Sequence, residues 1–168
     1  APAPPDGSAG EYERDADSKP DSVFLIHGRN EHVRGQVENV IRRTTPSTPV
    51  VLSDQANGGS TLIEKLEHHL NQRRVAFAVV IMTADDVGRL ADAGKEKPRA
   101  RQNVVLELGF AMTALGRDRV TILNEGGVEL PSDISGVVYH SLDNEAWKVA
   151  LVGELNRAGI EADANGLL

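Results

Sequence analysis

No cysteine occurs anywhere in the chain. That absence removes disulfide frames, thiolate nucleophiles and cysteine-ligated zinc together, and it makes the reducing cytosol the expected compartment, so a cytoplasmic location is expected. Long apolar runs are missing too. The longest, about nine residues over 75–83, is less than half of what spans a bilayer. No basic-then-apolar signal segment opens the sequence, so no membrane partner is expected. Positive charge is scarce: 18 basic side chains against 25 acidic ones leave a net charge of −7. Such a balance disfavours a sequence-independent grip on a phosphate backbone, and nucleic acid is not an expected partner. Neither a GxGxxG fingerprint, a Walker sequence nor an HExxH pair is present. His68 and His69 are neighbours on a predicted helix and face different directions, so no metal is expected.

What is present fits one domain, because 168 residues bury most of their surface in a single core. The opening stretch, APAPPDGSAGEYERDADSKPD, holds four prolines and no periodic apolar residue. We read 1–21 as a disordered, acidic, proline-containing linker and 22–168 as the folded domain. The linker carries six acids against Arg14 and Lys19, which leaves the folded part nearly neutral. A solvated tail at the start of a chain that begins with Ala1 suggests a domain cut from the C-terminal end of a larger polypeptide. Ordinary Met removal before alanine would look the same.

After the linker, short β-branched runs alternate with segments of helical period, the pattern of a parallel sheet with crossover helices. Strands are predicted over 23–26, 50–52, 75–82 and 120–123, with a weaker fifth over 137–140. The first helix shows Val33, Val37, Val40 and Ile41 on one face. A second begins with the capping box Thr61-Leu-Ile-Glu64 and turns Leu62, Leu66 and Leu70 inward. A third is predicted over 101–115 and a last over 145–158, with Gly159 as its stop and Trp147, the only tryptophan, pinning it to the sheet. Five strands wound this way make an α/β flavodoxin-like three-layer sandwich with a five-stranded parallel sheet, whose ligands bind beyond the carboxyl ends of the strands.

Three loops follow those ends and should line one crevice: His27-Gly28-Arg29-Asn30-Glu31 after the first strand, Ser53-Asp54 and 55–60 after the second, and Thr83-Ala84-Asp85-Asp86 after the third. Gly28 and the pair Gly58-Gly59 allow a backbone to approach a ligand closely, and the amides that open the second helix can hold a phosphate. Turn-making is the ordinary reading of each glycine. His27 at a strand end serves as a ribose or phosphate contact, or as a structural donor. Asp85-Asp86 is expected to cap a short helix or turn.

Glu107 stands out because the stretch 104–116, VVLELGFAMTALG, contains no other ionisable group. On periodicity alone it takes the exposed face beside a core stripe of Val104, Leu108, Ala111, Met112 and Leu115. Its neighbours support a sharper reading: Asn103 lies one turn before it, and Arg99, Arg101 and Gln102 sit at the helix start, next to the crevice. Desolvation would raise the pKa of such a carboxylate and an arginine would lower it, so the sequence leaves the direction open.

The stretches IHGRNE, SDQANGGSTLIEKLE, VAFAVVIMTADDVG, and above all KPRARQNVVLELGF and LPSDISGVVYHSL, resemble the bacterial TIR-like domains over 22–160. The branch is the one once described as predicted nucleotide-binding proteins, associated with effectors of cyclic-nucleotide-signalled antiphage defence. That resemblance implies the flavodoxin-like fold and hydrolysis of NAD to nicotinamide and ADP-ribose products. It also implies an essential glutamate in the helix after the third strand, which maps onto Glu107. NAD would be substrate rather than cofactor, and no cofactor is expected. On this reading the substrate-contacting candidates are His27, Gly28, Arg29, Ser53, Gly58, Gly59, Ser60, Thr83, Asp85, Arg101 and Asn103. The resemblance further implies self-association into head-to-tail oligomers or filaments, under an upstream sensor for a cyclic nucleotide.

Rival functions are separable. A phosphorelay receiver fails, since no acidic pair follows the first strand and the third ends in Met82-Thr83 without an acceptor aspartate. A non-catalytic interaction module of the same fold has no reason to place a lone carboxylate in the 104–116 stretch. A nucleoside deoxyribosyltransferase, related in fold and also using a glutamate, would be told apart by substrate choice.

Overall fold

A computed structural model of the chain describes residues 22–51, 64, 67, 75–92 and 94–168. The 1–21 linker reading, the loop with Ser53, Gly58, Gly59 and Ser60, and the second helix with Leu62, Leu66, His68, His69 and Leu70 lie outside the described residues. Glu64 and Glu67 are described, and both are helical and exposed.

The elements run β1 (Ser22–His27), α1 (Glu31–Thr44), β2 (Thr48–Val51), β3 (Val75–Met82), β4 (Asp86–Gly88), β5 (Lys97–Arg99), α2 (Gln102–Leu115), β6 (Val120–Asn124), β7 (Val138–Ser141) and α3 (Ala146–Arg157). Five strands form one parallel sheet in the order β2-β1-β3-β6-β7. This is the flavodoxin order, in which the chain moves outward from β1 to β2, then returns across β1 to β3.

Alternation along the strands sorts side chains into two cores. Val23 and Leu25 of β1 and Phe77, Val79 and Ile81 of β3 join Val37 and Ile41 of α1 and Trp147, Leu151 and Leu155 of α3. Phe24, Ile26, Ala78, Val80 and Met82 join Val104, Leu108 and Ala111 of α2. Helices therefore cover both faces, and β3 is buried at all eight positions, as a central parallel strand must be. A register shift between Ser22 and Val23 leaves Ala76 as the extra residue of β3. Its carbonyl accepts a hydrogen bond from Arg119 Nη1 at 3.0 Å.

Differences from the sequence reading are local. Thr48 and Pro49 belong to β2, which starts two residues earlier than predicted. A proline is tolerated there because β2 is an edge strand and needs no donor on its open side. The fifth strand is displaced by one residue. Asp85 sits in a turn, as one of the two expected alternatives, but Asp86 opens β4 rather than a helix, and β4 pairs antiparallel with β5. No strand was predicted in that polar segment, because three-residue strands are too short to show a period. Among the described residues no helix is long and apolar enough to cross a membrane.

Trp147 is 3 % exposed within the α1/α3 core. Trp147→Ala should destabilise the chain by about 3–5 kcal/mol, the usual cost of emptying a buried aromatic site, read as a lowered urea midpoint with an unchanged m-value.

Candidate active site

α2 begins after buried Ala100, where Arg101 turns the chain from extended backbone into the helix. Val104, Glu107, Leu108 and Ala111 are its buried residues. Their i, i+3, i+4, i+7 spacing is one helix face, and α2 packs that face on β3, β1 and β6. Glu107 is thus part of the inward stripe, only 8 % exposed, while Leu106 beside it is 53 % exposed. Amphipathicity is inverted at this turn. The expectation of an exposed Glu107 is overturned because tertiary packing, not side-chain polarity, decides which residues of an apolar helix face the sheet.

Burial pushes the Glu107 carboxyl up from 4.5 to about 7, and the positive charge of Arg101 pulls against that rise. The direction that the sequence left open is therefore settled by desolvation. A second buried carboxylate shows the contrast. Glu154, 6 % exposed, accepts from Arg157 Nη2 at 2.6 Å and meets His140 Nε2 at 2.9 Å, which ties α3 to β7. Glu154 is satisfied in the way of a structural group. Among the described residues, none hydrogen-bonds the Glu107 carboxylate, which leaves its oxygens for something else.

The loops after β1 and β3 meet at the switch point of the sheet. Asp85 Oδ2 accepts from the Arg29 backbone N–H at 3.1 Å, and Asp85 Oδ1 accepts from Thr83 Oγ1 at 3.1 Å. Thr83 is buried, His27 and Asp85 are half-buried, and Arg29 is exposed. A Cβ on Gly28 would overlap Asp85 Oδ2. The glycine makes room for a protein carboxylate. The Arg29 amide is engaged by the same carboxylate. Arg101 and Asn103 are exposed at the start of α2.

Two carboxylates at the same edge were missed. Glu125 Oε2 accepts from Ala84 N–H at 2.8 Å, and Asp143 Oδ1 accepts from Gly126 N–H at 2.8 Å. The signal was available: Asp85, Glu125 and Asp143 each fall within three residues after a parallel strand. Beside α2, a groove of about 610 Å³ is lined by Arg99, Gln102, Val105, Leu106, Leu130 and Pro131 among others. Glu107 does not line it. Positions 102, 105 and 106 form a different helix face from 104, 107 and 108, so the groove and the carboxylate are separate features.

The family model described as "CAP12/Pycsar effector protein, TIR domain" matches residues 22–144. The chain is 38 % identical over 147 residues to the uncharacterized protein YuaY of Escherichia coli (strain K12), covering 87 % of this chain and 48 % of that protein. It is 32 % identical over 127 residues to protein tirC of Dictyostelium discoideum, covering 70 % of this chain and 62 % of tirC. Over 77 residues it is 43 % identical to the Pycsar effector protein BcPycTIR of Burkholderia cepacia, covering 45 % of this chain and 24 % of BcPycTIR. The chain thus spans about half the length of YuaY and somewhat less than two thirds of tirC.

Glu107 has a thermodynamic signature. Its folded pKa lies above its ordinary value, so the folded chain binds the proton more tightly and stability declines as pH rises from about 4.5 to about 7. Below that window the contribution is complete, and above it about 3 kcal/mol has been lost. Glu107→Gln should remove this slope. Urea unfolding at pH 4 and pH 8 should show the stability difference between the variant and the parent growing by about 3 kcal/mol in favour of the variant at the higher pH.

Proposed function

This chain belongs to the CAP12/Pycsar effector TIR-domain family, and on that premise we propose that it is an NAD glycohydrolase, cleaving the bond between nicotinamide and ribose. The observation that carries this reading is Glu107, a buried carboxylate without a hydrogen-bond partner among the described residues, on the helix that follows the third parallel strand. Nicotinamide in NAD is a cationic leaving group. When the C1′–N bond breaks, its electron pair leaves with neutral nicotinamide and positive charge develops on the ribose. A carboxylate held out of bulk water stabilises that oxocarbenium-like transition state more strongly than one in solvent. Glu107 would accept the ribose hydroxyls, then take a proton from the water that attacks C1′, giving ADP-ribose. Attack by the adenine ring in place of water would give a cyclic product.

Family membership also supports an effector role in antiphage defence, with a cyclic nucleotide as the upstream signal and assembly as the switch. In this proposal copies associate head to tail, and an upstream sensor concentrates and orients them. Exposed apolar side chains next to the buried carboxylate, Leu106 and Val105 on α2, support contact between copies near the site. An NAD hydrolase without such control would poison its own cell.

The charged form of Glu107 is the working form, so kcat/KM for NAD should rise with pH through about 7, falling about tenfold per pH unit on the acid side. Glu107→Gln and Glu107→Ala should lower turnover on the order of 10² to 10³ while the circular dichroism spectrum stays that of the parent. Undiminished cleavage by folded Glu107→Ala would overturn the assignment, and an inert parent chain, even when assembled, would favour a non-catalytic interaction module. Specific activity should climb with protein concentration and with forced oligomerisation; a constant value from a proven monomer would refute control by assembly and leave Glu107 untouched.

A further inference from the structure

We propose that Asp85, Glu125 and Asp143 are positioning residues that join the loops at the carboxyl edge of the sheet into one mechanical unit. The strands β7, β6, β3 and β1 are successive neighbours in the sheet. Asp143, after β7, accepts from the Gly126 amide in the loop after β6. Glu125, in that same β6 loop, accepts from the Ala84 amide in the loop after β3. Asp85, in that β3 loop, accepts from the Arg29 amide in the loop after β1. Each loop except the last thus gives a carboxylate to the next strand's loop, always in the same direction across the sheet.

The joints are close-fitting. A Cβ on Gly28 would overlap the Asp85 carboxylate, and a Cβ on Gly126 would overlap that of Asp143. Neither glycine has a positive φ, so space, not backbone conformation, is what these positions require. Secondary ties hold the carboxylate-bearing turns: Asp85 also receives Thr83 Oγ1, Glu125 N–H donates to Met82 O at 2.9 Å, and Asp143 N–H donates to Ser141 Oγ at 3.1 Å. Charged acceptors on backbone amides make the stronger class of hydrogen bond. The three carboxylates thus engage one amide in each of three loops and set the geometry of those loops. Reactions of this kind lose rate steeply when positioning slips by about 1 Å.

The consequence for turnover rests on the NAD-cleavage reading above; the coupling of the loops does not. Backbone amide exchange, followed residue by residue by NMR, tests the coupling directly. Asp143→Ala should speed exchange of the Gly126 amide on the order of tenfold, as expected for one lost bond to a charged acceptor, and should also speed Ala84, one joint further on. Acceleration confined to Gly126 would overturn the proposal, leaving three independent caps. Glu125→Gln keeps an oxygen acceptor and should hold Ala84 exchange near the parent rate, whereas Glu125→Ala should not; equal effects would count against the hydrogen bond. For catalysis, Gly28→Ala should lower kcat for NAD with little change in KM, and adding Asp85→Gly should recover part of the loss by freeing the space. Additive losses would overturn the Gly28–Asp85 joint. If the assembled parent chain itself leaves NAD intact, the functional reading fails while the exchange rates still decide the coupling.

Discussion

The structure depends first on β3, eight consecutive buried residues with a parallel neighbour on each side. Parallel pairing forces every connection to cross over the sheet, and it brings all the carboxyl ends to one edge. The loops after β1, β3, β6 and β7 meet at that edge although they are far apart in sequence. The rim of hydrogen-bonded carboxylates and the placement of α2 over β3, β1 and β6 both follow from this arrangement.

Glu107 and Glu154 are two solutions to the same problem. Burying a carboxylate opposes its charged form unless partners compensate. Glu154 is compensated by His140 and Arg157 and works as a fastening between β7 and α3. Glu107 has no hydrogen-bond partner among the described residues, and the charge of Arg101 offsets part of the burial and leaves the carboxyl titrating at about 7. A group held in that state weakens the fold at neutral pH, and such a cost is characteristic of sites kept for chemistry. The exposed Val105 and Leu106 beside it tell a similar story, since apolar surface is left in water on the same turn that buries a carboxylate.

The architecture was legible because periodicity is a local property. The run 75–82 is apolar throughout and 120–123 is apolar but for Thr121, the mark of strands buried on both faces. The bounds of α2 and α3 were readable to within a residue, from Leu115-Gly116 and from Ala158-Gly159 with its positive φ. The β4/β5 pair was not legible, because three-residue strands of charged, glycine and proline residues with a single valine carry no alternation. Pro49 hid the start of β2, since tolerance of a proline depends on the strand's place at the sheet edge.

At the site, residue type and order alone determined that Glu107 is isolated among apolar residues and that His27, Gly28, Arg29, Thr83 and Asp85 lie at or just after strand ends. Only the tertiary structure decided that Glu107 faces inward with a raised pKa, and that Gly28 is a glycine because Asp85 fills the space beside it. The reason is distance along the chain. Periodicity reports on neighbours three or four residues apart, whereas the bonds from Arg29 to Asp85, Ala84 to Glu125 and Gly126 to Asp143 join residues separated by 56, 41 and 17 positions. Contacts of that span exist only after the sheet has brought its strand ends together.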